Sequence, residues 1–123
     1  MTAGDIKLVT LRDAHQFSPE TGLLRQVLAY NHKLMLVRHL MEKGWVGTRH
    51  SHPHEQLVYV IRGHLQFSAA VSCTFEARAG DSFVVPGGVE HQARAFEESE
   101  VIDVFTPARE DYAVPELVEH DGQ

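Results

Sequence analysis

The chain has 123 residues, 43% of them hydrophobic, which suits one domain around one core and excludes a disordered composition. Its 11 Lys and Arg stand against 17 Asp and Glu, a formal charge of −6. That is the wrong sign for neutralising phosphates, so no nucleic-acid partner is expected, while a small anionic ligand held by one pocket arginine stays open.

Taken in order, Ile6–Arg12 reads as a first strand. Gly22–Tyr30 is ambiguous between helix and strand and ends at an Asn31-His32 turn. Lys33–Glu42 stops before Gly44, and Gln56–Arg62 stops before Gly63. His64–Val71, Cys73–Ala79, Ser82–Pro86, His91–Glu97 and Glu100–Thr106 follow. Short runs rich in Val, Phe, Leu and Tyr at regular spacing indicate an all-β sandwich or barrel, so the ambiguous runs are assigned as strands. Phe96–Glu100 reads as a solvated charged turn. From Pro107 the chain turns polar and acidic, with room for one short helical turn before the end.

Cys73 is the only cysteine, so no intrachain disulfide forms, and it is expected to be a small, buried or half-buried strand residue. No apolar h-region opens the chain, and no apolar run approaches the roughly 18 residues of a membrane span. The expected location is the cytoplasm, with no membrane partner.

His50 and His52 lie two apart and share one face of an extended chain, and Gln56 has the same parity. Pro86-Gly87-Gly88 is a strong turn signal, so His91 starts a strand able to lie beside that pair. Three imidazoles and an amide oxygen then converge on a divalent metal, for which Ni, Zn, Mn and Fe are all suitable. His54, next to Pro53, is expected to lie behind the ligands or be exposed. His15, His32, His39, His64 and His120 read as structural or solvated.

In Glu100–Thr106, Val101, Asp103 and Phe105 share one face, with Ile102 and Val104 on the other. An aspartate inside a strand faces a polar cavity or an ion pair, since an unpartnered buried carboxylate costs several kcal/mol. Arg109 is near enough in sequence to supply the cation. A structural Asp103–Arg109 pair and a functional pocket are both open on these residues.

Gly44, His50-x-His52, Gln56 and Gly63 resemble the first cupin motif, and Gly80, Pro86-x-Gly88 and His91 resemble the second. The departures are Gln56 in place of a glutamate and Ala95 in place of an asparagine. Gln56 keeps an oxygen ligand without ligand charge, which leaves a metal a stronger Lewis acid. From about Leu24 to Tyr112 the chain is similar to the small single-domain cupins of pectin and alginate breakdown, the KdgF group. That resemblance implies a double-stranded β-helix, a jelly-roll barrel over about 24–112 within a single domain, 1–123, ending in a polar tail. It also implies a homodimer in which an N-terminal strand extends the partner's sheet. The metal set maps onto His50, His52, Gln56 and His91. The implied reaction converts 4,5-unsaturated uronate monosaccharides, anionic sugars, to the linear keto form. Asp103 then serves as general acid–base, Arg109 clamps the substrate carboxylate and Phe105 packs on the sugar ring. A non-haem iron dioxygenase and a non-catalytic ligand-binding module are the alternatives.

Overall fold

The computed structural model describes residues 4–69 and 72–113. A 3-10 turn, Leu11–Asp13, precedes the strands β1 His15–Glu20, β2 Leu23–Tyr30, β3 Met35–Met41, β4 Glu55–Arg62 and β5 His64–Ala69. Then come β6 Cys73–Arg78, β7 Ser82–Val85, β8 His91–Ala95 and β9 Ser99–Thr106. They form a six-stranded sheet, β1-β2-β3-β9-β4-β7, and a three-stranded sheet, β6-β5-β8. Every pairing is antiparallel. The all-β jelly-roll expectation holds.

Alternation sets which side chains face inward. In β3 the buried positions are Met35, Val37, His39 and Met41, and in β9 they are Ser99, Val101, Asp103 and Phe105. In β4, Gln56, Val58 and Val60 point in, while Leu57, Tyr59 and Ile61 are exposed. Turn chemistry joins the strands as expected. Asn31 Oδ1 accepts from Lys33 N at 2.8 Å and Leu34 N at 3.2 Å, turning the chain from β2 into β3. At Gly63 (φ 105°) the backbone is left-handed, and an added Cβ would collide with Ser99.

The interior holds two apolar clusters. One contains Leu23, Met41, Val58, Val60, Leu65 and Val101. The other contains Val27, Met35, Val37, Phe105 and Tyr112. Between them each of three neighbouring strands carries one inward polar residue: Arg25 between Leu23 and Val27, His39 between Val37 and Met41, Asp103 between Val101 and Phe105. A polar layer therefore crosses the sheet, directly from Arg25 to His39 and diagonally on to Asp103, whose partner in register is Val37.

Three expectations need correction. Ile6–Arg12 forms no strand, and Ile6 and Leu8 are 98% and 85% exposed; their alternation suits a sheet, but no edge lies beside them. The edge strand is instead β1, whose sequence HQFSPE has one large apolar residue and a proline. Pro19 cannot donate to a ladder, and the pairing register slips between Phe17 and Glu20, which an edge position tolerates. Cys73 is exposed rather than buried, because at the start of edge strand β6 its side chain faces out. Phe96–Glu100 is more than a solvated turn, since Ser99 is buried and its Oγ accepts from His64 N at 3.1 Å. The last two residues of the expected strand His64–Val71, His120 and the tail beyond Ala113 lie outside the described residues; Arg109 to Ala113 form turns.

Candidate metal centre and pocket

Backbone bonds bring the two histidine segments together. His50 N donates to His91 O at 3.0 Å and His91 N donates to His50 O at 2.8 Å. The turn before β8 presses on the loop before β4: Gly88 N donates to His52 O at 2.7 Å and Gly87 N to Glu55 Oε2 at 2.7 Å. Gly88 has φ 84°, and a Cβ at Gly87 would strike the Pro53 carbonyl oxygen. The close approach of these loops needs both glycines.

The rings of His50, His52 and His91 follow, with centroids 4.5 to 5.7 Å apart. One ligand atom from each lies within 4.8 Å of the others. All three rings are turned by the same device. Nδ1 meets a backbone carbonyl in each case: Thr48 O at 2.8 Å from His50, His54 O at 3.2 Å from His52 and Val89 O at 2.9 Å from His91. A carbonyl only accepts, so Nδ1 carries the proton and Nε2 presents a lone pair. His54 thus contributes its carbonyl and stands behind the His52 ring.

Gln56 lies beside the three rings. Its Nε2 donates to Asp103 Oδ1 at 2.8 Å, so its Oε1 faces His52 Nε2 at 3.1 Å. The reverse amide orientation would set an oxygen against the carboxylate. As placed, Oε1 and Nε2 are two acceptors in contact, repulsive by themselves and complementary around a shared cation. The donor set therefore fits a divalent metal on its own chemistry. Burial, followed by the nearby Arg109 charge, lowers His52 to about 4, and burial also lowers His91. Both rings are neutral near pH 7, the form a metal binds.

A cavity of about 310 Å³ is lined by the three histidines, Gln56, Asp103, Phe105 and Arg109. Sequence-distant candidates thus meet in one pocket. Asp103 is 2% exposed and accepts twice, from Gln56 at Oδ1 and against His39 Nδ1 at Oδ2, 2.7 Å away. The structural Asp103–Arg109 pair is not the one formed. Arg109 bonds Asp111 instead, Nε to Oδ1 at 3.0 Å and Nη2 to Oδ2 at 2.8 Å. Burial raises the Asp111 carboxyl, and the Arg109 bonds more than reverse this, holding it below the usual carboxylate range. Arg109 Nη1 is buried with no partner. Phe105 packs edge-on against His52 and Tyr112, with centroids 5.8 and 5.6 Å away.

The pocket wall also includes Arg25, His39 and Tyr112, none of which the sequence marks as a site residue. His39, read as structural or solvated, is 9% exposed and joined to the site. Its inward parity between Val37 and Met41 was the available signal. The guanidinium carbons of Arg25 and Arg109 lie 3.7 and 4.1 Å from the Tyr112 ring centroid, so the tyrosine spaces two cations at the pocket wall.

A two-sheet jelly roll with three clustered imidazoles at its pocket defines the class, and the cupin domain model matches residues 37–105. The chain belongs to the cupin domain family. Among solved structures it is similar to an RmlC-like cupin from Shewanella frigidimarina, at 35% identity over 89% of this chain and 97% of that one, TM-score 0.81. It is also similar to KdgF from a Halomonas species, at 32% identity over 87% of this chain and 100% of that one, TM-score 0.79. The oxalate decarboxylase of Lactobacillus farciminis, 18% identical with TM-score 0.75, shares the fold over 97% of this chain and 42% of its own length. No curated protein sequence matches. Within the family, the chain is a KdgF-like cupin.

Proposed function

We propose that this protein converts a 4,5-unsaturated uronate monosaccharide to its linear keto form, with a divalent metal held by His50, His52, Gln56 and His91. The observation that carries the reading is Arg109: its Nη1 is buried without a partner, in a residue lining the same cavity as Asp103 and the histidines. A buried cationic donor without an acceptor favours a ligand that brings one, and a uronate carboxylate does. The likeness to KdgF supports the same reading.

The reaction is an isomerisation. The anomeric O–H loses its proton, the bond from the anomeric carbon to the ring oxygen breaks, and the released enol takes a proton at carbon to become a ketone. When bound, the metal supplies Lewis-acid polarisation of a substrate oxygen. Arg109, held from behind by Asp111, receives the carboxylate already oriented. Phe105 packs on the sugar, and Asp103 takes and returns the proton. The test is the rate at which a lyase-generated unsaturated uronate loses its ring-alkene absorbance with metal-loaded protein. A rate equal to the spontaneous one, with each of Ni, Zn, Mn and Fe, would reject this reaction.

We also propose a cytoplasmic homodimer. Exposed Ile6 and Leu8, together with exposed Leu57, Tyr59 and Val84 on the outer face of β4 and β7, support self-association. No helix among the described residues is long and apolar enough to cross a membrane. Light scattering that returns a monomer mass would reject the dimer.

A further inference from the structure

The polar layer contains a hydrogen-bonded chain that the proposed reaction does not yet use. Arg25 and His39 are directly opposed on β2 and β3, and Arg25 Nε donates to His39 Nε2 at 2.9 Å. A guanidinium nitrogen only donates, so His39 Nε2 must accept, and the ring proton must sit on Nδ1. Nδ1 lies 2.7 Å from Asp103 Oδ2. Gln56 Nε2 holds the other oxygen, Oδ1, at 2.8 Å. The carboxylate is thus gripped from two strands, by β3 at one oxygen and by β4 at the other. Its rotation about the terminal torsion, ordinarily broad for aspartate, is stopped.

We propose that His39, locked by Arg25 as its Nδ1–H tautomer, is a positioning residue that aims Asp103 into the pocket. The inference rests on the proposed reaction for the use made of Asp103, while the tautomer and the grip stand on geometry alone. Among the groups around His39, Arg25 is the one that dictates the tautomer. Asp103 receives the proton's hydrogen bond, and the Tyr112 ring stands edge-on at 6.5 Å. A protonated or Nε2–H imidazole would set two donors against each other at the Arg25 contact. A free imidazole has no such constraint, so the lock is a specific claim about this site.

The experiment uses zinc-loaded, ¹⁵N-histidine-labelled protein. Nitrogen–proton correlation spectra should show His39, assigned by its absence in His39→Asn, as neutral with the proton on Nδ1. Arg25→Met should admit the other tautomer. In kinetics with an unsaturated uronate, His39→Leu should lower kcat about 10–100-fold, the usual scale for such supporting partners, with KM and metal content near wild type. Asparagine keeps an N–H donor close to the position of Nδ1, so His39→Asn should recover most of that loss. A wild-type spectrum with Nε2–H or a doubly protonated ring would overturn the proposal, as would a His39→Leu crystal structure with the Asp103 carboxylate unmoved. If His39→Leu fails to fold, the spectrum and His39→Asn still decide. Wild-type inactivity on every unsaturated uronate would sink the reaction and leave the spectrum to judge the lock.

Discussion

Strands β2, β3 and β9 carry a polar network on each face, and the two networks use similar chemistry in different surroundings. Inside, Arg25, His39, Asp103 and Gln56 form one chain. Outside, at neighbouring positions, Arg38 donates to Glu100 Oε2 and Gln26 Oε1, both at 2.7 Å, while Arg62 donates to Glu100 and Glu98 at 3.2 and 3.0 Å. The Asp103 side chain is 3% exposed, against 25% for Arg38 and 46% for Arg62, with Glu100 between them at 15%. Outside, water reaches the two arginines and can take the place of a partner that leaves, and salt screens what remains. Inside there is no replacement, so each donor and acceptor has one permitted arrangement. The same bond is therefore decorative on one face and directive on the other. Short distances alone do not tell the two apart; burial does.

The comparison breaks first at the metal. His50→Ala/His91→Ala should abolish stoichiometric metal binding, read by elemental analysis, and with it all turnover. The protein should remain folded by circular dichroism, because both apolar clusters are untouched. Asp103→Asn comes next. Turnover should fall by about 10²–10⁴-fold, the range for losing a general acid–base group. Stability should also fall by about 1–3 kcal/mol, because an amide must turn its NH₂ toward either Gln56 or His39, setting donor against donor. Denaturant unfolding measures the second effect, and an unchanged midpoint would show that the inner chain tolerates rearrangement as the outer one does.

Gln56→Glu should have a smaller effect. It supplies a charged ligand and should tighten metal binding, but it also sets a carboxylate 2.8 Å from Asp103 Oδ1, where the amide donor now sits. Two carboxylates in contact share one proton, so turnover should drop by about 10–100-fold. Turnover at or above wild type would make the neutral ligand incidental.

The smallest effect belongs to the outer face. Arg38→Met should cost no more than about 1 kcal/mol after solvent screening, and less in high salt. Arg38, ahead of Arg62, holds the Glu100 carboxyl below its ordinary range. A carboxylate lowered in the folded state stabilises above its unfolded pKa and loses that contribution as pH falls through the folded one. The melting temperatures of wild type and Arg38→Met should therefore converge in acid. A gap that persists at low pH and high salt would mean that Arg38 acts through packing.

Residue pattern alone made much of this protein legible. Strand faces follow from a two-residue period, which puts Val101, Asp103 and Phe105 on one face and gives His50, His52 and Gln56 a common parity along an extended chain. The Pro86-Gly87-Gly88 turn delivered His91, since proline and glycine restrict the backbone locally. Departures arose where the deciding interaction was not local. Edge strand β1 lacks an apolar pattern and is held by β2. Ile6 and Leu8 have the pattern but no neighbour. Arg109 chose Asp111, two residues on, over Asp103, because the turn after Pro107 carries its side chain there. His39 and Asp103 are 64 residues apart, and only the register between β3 and β9 brings them together. Alternation tells which face a side chain takes. It cannot tell which residue on the next strand lies opposite, because register is set by sheet pairing and barrel closure across the whole chain. The spacing of the histidines was local information; the company that Asp103 keeps was not.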